Sequence, residues 1–145
     1  MKSLFKKVCI ASDHAGFNLK ETIKIYLQRK KLNFLDLGPI NNNKVDYPDY
    51  AHKVAQKVKL NKNNIGILVC GSGTGMSIAA NKHKNIRAAQ CFNLKSTKLS
   101  RLHNDANIIT LGSRLITKKN ALKLVGVFLN TKFDGGRHLK RIKKI

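Results

Sequence analysis

The chain has 145 residues, of which 42% are apolar, and its 29 lysines and arginines against seven acids give a net charge of +22 at pH 7. This length fits one domain spanning residues 1–145, and the apolar fraction is that of a globular rather than a disordered protein. No run approaches the ~20 apolar residues of a membrane helix. The apolar run after the basic start Met1–Lys7 is too short for a signal peptide. We therefore expect a cytoplasmic protein with no membrane partner.

The charge by itself suggests nucleic-acid binding, because lysines neutralise phosphates and release counterions. However, the lysines are spread through every segment, and only the end of the chain, Lys140–Ile145, is a denser basic run. A solvated lysine surface explains this distribution better than a nucleic-acid site. We expect no nucleic-acid partner, and a nucleic-acid-binding protein remains the remote alternative.

Three cysteines with no paired spacing argue against a disulfide framework. Cys9 and Cys91 lie in apolar, strand-like runs and are predicted to be buried structural thiols. The five histidines and three cysteines show no metal-ligand spacing, so we predict no metal.

Strands and helices are predicted to alternate along the chain. Apolar runs predict strands at 8–12, 34–37, 65–70, 86–91 and 106–111. Three- and four-residue apolar spacing predicts helices at 17–31, 50–60, 76–84, 94–104 and 118–129, the last one capped by Thr117. The remainder, 132–145, reads as a basic C-terminal tail with some helical character.

This alternation predicts a three-layer α/β/α fold around a five-stranded parallel sheet with right-handed crossovers. Ligands of such sheets bind outside the carboxyl ends of the strands. The loops that follow the first, third and fifth strands, at 12–15, 70–75 and 112–114, are therefore the candidate site.

The loop Gly71-Ser72-Gly73-Thr74-Gly75 has glycines at alternating positions, which let amide groups approach a ligand and form an anion-binding nest. The predicted helix that follows adds its positive end. The spacing matches no dinucleotide-binding fingerprint, and the lysine of a Walker loop is missing. Cys70 stands where the nest begins. Converging amides would favour its thiolate and make it a proton acceptor, but a buried strand-end cysteine is an equally good interpretation.

Histidines and carboxylates supply further candidates. Asp13 and His14 follow the first strand, where they could hold sugar hydroxyls and phosphate, although a helix-capping Asp beside an exposed His is common. His103 ends a predicted helix and is either a partner of the helix dipole or a general acid. His52 and His83 are predicted to lie on helix surfaces without a specific role.

Arginine occurs at only six positions, so an arginine in a glycine-rich context suggests a need for its planar, bidentate fork. Arg114 follows Gly112-Ser113, and Arg137 follows Gly135-Gly136 with Arg141 four residues later. Arg29, Arg87 and Arg101 lie outside such contexts.

Several segments together resemble the ribose-5-phosphate isomerase B family, which also includes allose- and galactose-6-phosphate isomerases. The matching segments, in chain order, are SDHAGF at 12–17, DYP at 46–48, CGSGTGMSIAANK at 70–82, LSRLHNDAN at 99–107, GSR at 112–114 and GGRH at 135–138. They cover nearly the whole chain.

The resemblance implies a Rossmann-like fold and an aldose–ketose isomerase that interconverts D-ribose 5-phosphate and D-ribulose 5-phosphate through an enediolate. This is a step of the non-oxidative pentose phosphate pathway. It also implies that no cofactor is needed and that the chain forms a homodimer with its sites at the subunit interface, with a dimer of dimers as the larger alternative.

The resemblance also implies residue roles. Cys70 takes the C2 proton, Gly71–Gly75 form the anion hole, and His103 opens the furanose ring. Three residues lie near the sugar hydroxyls: Asp13, Tyr47 and Asn104. Four residues match or fit phosphate contacts: His14, Arg114, Arg137 and Arg141.

Part of the family uses a glutamate base on the helix after the loop. Met76-Ser77-Ile78-Ala79 contains no acid here, which assigns the chain to the cysteine-base branch. An isomerase of a six-carbon sugar phosphate, such as allose 6-phosphate or galactose 6-phosphate, remains the alternative, because one extra carbon needs only a slightly deeper pocket.

Overall fold

A computed structural model of the chain describes residues 3–145, so the first two residues of the basic start lie outside the described part. Five strands, β1 to β5, span Lys7–Ser12, Phe34–Asp36, Asn64–Cys70, Ala88–Gln90 and Ile108–Gly112. Six helices, α1 to α6, span Phe17–Arg29, Tyr47–Lys59, Thr74–Ala80, Leu94–Asn104, Lys118–Asn130 and Arg137–Ile142. None of these helices is long and apolar enough to cross a membrane.

The strands form one parallel sheet in the order β2-β1-β3-β5-β4, which confirms the predicted three-layer, Rossmann-like α/β/α fold. The register places Ser12 opposite Val69 and Cys70 opposite Gly112. The connection after β1 runs to β2 at one edge of the sheet and the connection after β3 runs to β4 at the other edge, so the direction reverses between β1 and β3. Ligands of such sheets bind at a reversal of this kind.

Alternate residues of each strand face opposite sides of the sheet. In β1, Ile10 packs into a core formed with α1 and α5, whereas Cys9 packs into a core formed with α2 and α3. Cys91 is buried in the first of these cores and Cys9 in the second, as predicted for structural thiols.

Two helices differ from their predicted bounds by three residues or more at one end. Helix α2 begins at Tyr47 rather than at residue 50, because Pro48 is tolerated in a first turn, where its missing N–H is not needed. Helix α3 ends at Ala80 rather than at residue 84. The chain then turns, and Asn85 adopts a left-handed backbone with φ of 66°. The strands β4 and β5 also begin two residues later than predicted, at Ala88 and Ile108.

A buried lysine joins α1 to the end of β2. The side chain of Lys20 is fully buried, and its Nζ donates to both carboxylate oxygens of Asp36, at 2.8 and 3.0 Å, and to the Pro39 carbonyl at 2.7 Å. Lys24 also contacts Asp36, at 2.7 Å. This ion cluster fixes the start of the loop that leads to Tyr47.

A buried arginine fixes the C-terminal end of α4. The Arg101 guanidinium donates to Asp105 Oδ1 at 2.8 Å, to the Ala106 carbonyl at 2.6 Å and to the Thr131 carbonyl at 3.1 Å. It therefore joins the last turn of α4 to the segment that leads into α6. This explains structurally an arginine that lies outside any glycine-rich context.

Candidate active site

A pocket of about 260 Å³ opens at the carboxyl edge of the sheet, where the loops after β1, β3 and β5 meet the first turn of α2. Its lining comprises Asp13, Tyr47, Cys70, Gly71, Ser72, Gly75, Arg114 and Leu115. Seven of these were predicted site residues, and Leu115 was not. The volume lies just below the ~300–1,000 Å³ typical of drug-sized ligands, so a smaller molecule fits it.

The Cys70 thiol lies at the floor of this pocket and is 4% exposed. Its Sγ accepts a hydrogen bond from the Gly73 amide at 3.0 Å. Gly73 turns the amide back toward the sulfur with a φ of 79°, a left-handed conformation that favours glycine. An amide donor interacts more strongly with an anionic sulfur than with a neutral one. The loop thus directs an N–H donor at a sulfur that lines the pocket.

The glycine loop is held from β4 by a residue that the sequence interpretation missed. Gln90 Nε2 lies 2.8 Å from the Ser72 carbonyl and 2.8 Å from Thr74 Oγ1. The Thr74 amide in turn donates to Ser72 Oγ at 3.2 Å. No motif marks Gln90, because its role depends on the pairing of β4 beside β5, which local sequence does not reveal.

The loop after β5 is bonded to both other loops. The Ser113 and Arg114 amides donate to the carbonyls of Cys70 and Gly71, at 2.8 and 3.0 Å. Ser113 Oγ donates to the Ala15 carbonyl at 2.8 Å. A Cβ on Gly71 would lie 2.8 Å from Arg114 Nη1, so the guanidinium lies directly against the glycine loop. The three predicted loops therefore form one bonded unit with a cation at its edge.

The two residues after β1 have different positions. Asp13 lines the pocket, and its Oδ1 accepts a hydrogen bond from the Gly16 amide at 2.9 Å, so it combines the predicted turn role with access to a ligand. His14 lies outside the pocket lining. Its Nδ1 is 3.3 Å from the Val45 amide, which donates to it, and the imidazole therefore contacts the loop that leads to Tyr47.

Four predicted site residues lie away from this pocket in the same chain. Asn104 lines a different cavity together with Arg87 and the C-terminal Ile145. His103 stands at the end of α4, and Arg137 and Arg141 belong to α6. Within residues 3–145 the structure thus brings one part of the predicted site together in this pocket. The part that comprises His103, Asn104, Arg137 and Arg141 lies outside it.

The cluster His103, Asp134 and His138 is the described group closest to a metal site, with ligand atoms within 4.8 Å of one another. However, the two imidazoles are stacked with an angle of 13° between their planes. The lone pairs of nearly parallel rings do not converge on one point, as tetrahedral metal ligands must. The cluster therefore does not fit a metal as it stands.

His52 lies on α2 as predicted, whereas the placement of His83 on a helix is wrong, and the two side chains contact each other. His52 Nδ1 lies 2.7 Å from His83 Nε2, and His83 stands in the turn after α3. Burial lowers the pKa of His83, and the positive charges of His52 and Lys59 lower it further. The pair links α2 to the turn after α3, a contact between residues 31 positions apart that no local pattern reveals.

The chain is similar to known proteins along nearly its whole length. Residues 8–145 match the ribose/galactose isomerase family. The ribose-5-phosphate isomerase B of Escherichia coli is 41% identical over 140 residues, which are 97% of this chain and 94% of that protein. A crystal structure of a Thermotoga maritima ribose 5-phosphate isomerase is 51% identical with a TM-score of 0.93, and the match covers 95% of each chain.

A second crystal structure, of ribose-5-phosphate isomerase B from Mycoplasma genitalium with bound ribulose 5-phosphate, has a TM-score of 0.92 and 45% identity. The match covers 95% of this chain and 92% of that one. Both the sequence and the structural matches therefore span nearly the full length of the proteins compared. The chain belongs to the ribose/galactose isomerase family.

Proposed function

We propose that the chain interconverts D-ribose 5-phosphate and D-ribulose 5-phosphate, as a step of the non-oxidative pentose phosphate pathway in the cytoplasm. The observation that carries the proposal is the position of the Cys70 sulfur. It accepts a hydrogen bond from the Gly73 amide and lies in a small pocket that Asp13 and Arg114 also line. A relative that matches nearly the whole chain holds ribulose 5-phosphate in its crystal structure.

In the proposed reaction the Cys70 thiolate removes the C2 proton of the open-chain aldose. The electron pair of the broken C–H bond forms the C1–C2 double bond, and negative charge develops on O1. The thiol then returns a proton to C1, while the proton of the O2 hydroxyl passes to O1, so that C1 becomes a hydroxymethyl group and C2 a ketone. Both transfers to and from carbon are proton transfers, so the reaction needs no cofactor.

The glycine loop is suited to the intermediate of this reaction. Gly71, Ser72 and Gly75 line the pocket at the start of α3, where the first amides of a helix have no acceptor inside the helix. Donors placed where negative charge develops are worth ~3–4 kcal/mol each. Gln90 holds this loop through two 2.8 Å contacts, so the amides are fixed before the charge forms.

The remaining roles follow the family pattern. We propose that His103 opens the furanose ring, and that Asp13, Tyr47 and Asn104 contact the sugar hydroxyls. We propose that His14, Arg114, Arg137 and Arg141 bind the phosphate, so that the tail 132–145 contributes phosphate contacts. The surrounding positive charge, +22 in all, would draw an anionic substrate toward the pocket.

We further propose a homodimer in which each site uses residues of both subunits. Support comes from the separation described above, in which His103, Arg137 and Arg141 are absent from the pocket lining of their own chain. Exposed apolar side chains near the site also favour an interface. Leu115 lines the pocket and Ile78 stands on α3, and both are more than half exposed.

The shared site predicts complementation between two inactive variants. Cys70→Ala and His103→Asn should each be nearly inactive. When the two are unfolded and refolded together in equal amounts, half of the dimers are mixed, and one of the two sites in each mixed dimer is intact. By two-fold symmetry, about one quarter of wild-type activity should return. If the mixture stays as inactive as its components, the shared site is wrong.

Tyr47 lies against the glycine loop closely enough to predict the effect of one added methyl group. A Cβ on Gly75 would lie 2.6 Å from two Tyr47 ring carbons, and the ring, 41% exposed, is free to move outward. Displacing a substrate contact by about 1 Å costs on the order of 10- to 100-fold in kcat/KM. We expect that loss for Gly75→Ala in a ribose 5-phosphate assay, with little change in Tm.

The control is Gly126→Ala on α5. A Cβ there would meet the Tyr26 hydroxyl at 2.9 Å, at the end of a side chain outside the active-site pocket. It should leave kcat/KM unchanged. An equal loss of kcat/KM in Gly75→Ala and Gly126→Ala would contradict the placement of Tyr47 beside the substrate.

The choice of sugar is tested by initial rates in a buffer containing a metal chelator. We expect a higher kcat/KM for ribose 5-phosphate than for allose 6-phosphate or galactose 6-phosphate. A preference for a six-carbon phosphate would establish the alternative substrate class, and loss of all activity with the chelator would contradict a reaction that needs no metal.

A further inference from the structure

The imidazole of His138 lies flat against that of His103. The ring centroids are 4.2 Å apart and the planes differ by 13°. His138 is 8% exposed, whereas His103 is only partly buried. Among residues 3–145 no side-chain hydrogen bond orients the His103 ring, so this stack is the contact that restricts its rotation.

The backbone places His138 there by short, well-anchored connections. The Asp134 amide donates to the carbonyl of Leu102, the residue before His103, at 3.0 Å. The His138 amide donates to the Gly135 carbonyl at 3.1 Å. Arg101 holds the Thr131 carbonyl at the start of the same segment. The segment 131–138 is thus bonded to the last turn of α4 through Arg101 and Leu102, the two residues before His103.

The surroundings of His138 disfavour its charged form. Burial lowers the pKa of His138, and the positive charges of His103, Arg137 and Arg141 lower it further, while the Asp134 carboxylate raises it. The stack therefore favours an uncharged ring beside His103, where a lysine or arginine would place a fixed cation.

We propose that His138 is a positioning residue whose stacked ring fixes the orientation of His103 for opening the sugar ring. This inference rests on the proposed function, in which His103 acts on the furanose form. It assigns His138 no contact with the reacting atoms. Its effect is to reduce the number of orientations that His103 can adopt before it meets the ring oxygen.

The two directions of the reaction separate this role from a general structural one. Ribose 5-phosphate closes a furanose ring through O4, whereas ribulose 5-phosphate, with O5 esterified, stays open. Initial rates from ribose 5-phosphate therefore require ring opening. Rates from ribulose 5-phosphate do not, because the open-chain aldose can leave the enzyme and close in solution.

The test compares initial rates at saturating substrate in both directions for His138→Ala and His138→Phe. Releasing one side chain from a fixed orientation corresponds to roughly a two- to tenfold decrease in the rate of a step that needs that orientation. We expect His138→Ala to lower the ribose 5-phosphate rate by about that factor and leave the ribulose 5-phosphate rate within about twofold of wild type. His138→Phe, which retains a flat ring, should restore most of the loss. The ratio of the two rates is independent of how much of a variant folds.

Lys123→Ala, which removes an exposed lysine on α5, is the control and should change neither rate. An equal loss in both directions, or no loss in either, would overturn the positioning role while leaving the proposed function intact. If wild-type enzyme turns over neither sugar phosphate, the proposed function fails and the inference fails with it.

Discussion

Replacing Cys70 by alanine is expected to lower kcat for ribose 5-phosphate by about 10²- to 10⁴-fold, the usual contribution of a general base. In the proposed reaction the Cys70 sulfur is the proton acceptor, and the Gly73 amide donates to it at 3.0 Å. Alanine removes the base and leaves the loop amides in place. Binding of a phosphate-bearing competitive inhibitor should therefore stay within a few-fold of wild type.

Cys91→Ala is the matched control for this variant. Cys91 is as deeply buried as Cys70 but lies in the core on the α1 and α5 side of the sheet. Its loss should lower Tm slightly and leave kcat unchanged. Turnover by Cys70→Ala at the wild-type rate would exclude this cysteine as the base.

Replacing Asp36 by asparagine is expected to lower the free energy of unfolding by about 3 kcal/mol at pH 7, the cost of leaving a buried charge without its partner. The group that loses its partner would be the fully buried Lys20 ammonium, which Asp36 contacts through both carboxylate oxygens and which would keep only Glu21, at 3.5 Å, and the Pro39 carbonyl. Urea unfolding of both proteins measures the difference. Asp49→Asn, an exposed acid in the first turn of α2, is the control and should change stability by less than about 0.5 kcal/mol.

The effect of Asp36 should depend on pH. Burial raises the pKa of its carboxyl, but hydrogen bonds from Lys20, Lys24 and the Gly38 amide outweigh this, and the pKa lies below its usual range. The stabilisation is therefore fully present above the unfolded-state pKa of about 4. It is lost as the pH falls through the lower folded-state pKa. The difference between wild type and Asp36→Asn should shrink on acidification, and a constant difference would contradict the ion-pair account.

The sheet could be predicted from the sequence because its signals are local. The uninterrupted apolar run at 65–70 is typical of a strand buried on both faces, and the structure places it in the middle of the sheet as β3. Element ends were less predictable. Tyr47 begins α2 because a first turn accepts proline, whereas the DYP segment alone reads equally well as a turn.

The pocket lining was largely predictable because loops after parallel strands meet at one edge. Asp13, Cys70 and Arg114 each follow a different strand and were expected to lie together on that ground alone. Gln90 and His138 were not found. Gln90 acts through the pairing of β4 beside β5, and His138 through the return of α6 onto the end of α4, so their positions depend on contacts between distant parts of the chain.

The acidic residues help to explain why so basic a chain is stable. Three of the seven acids, Glu21, Asp36 and Asp105, are engaged in ion pairs with basic side chains. Asp13 lines the pocket and bonds the Gly16 amide. The few negative charges thus lie where they fix helix ends and the site, and most of the lysines remain in solvent.

The proton transfer itself is tested most directly by running the reaction in deuterium oxide with a chelator and following the sugar phosphates by NMR. While the enediolate is bound, the thiol carries the proton taken from C2. In a fraction of turnovers that proton exchanges with a solvent deuteron before it is returned to C1. The account predicts conversion of ribose 5-phosphate to ribulose 5-phosphate with deuterium accumulating at C1 over repeated turnovers, and neither conversion nor exchange with Cys70→Ala. Conversion that leaves C1 free of deuterium after many turnovers would contradict it.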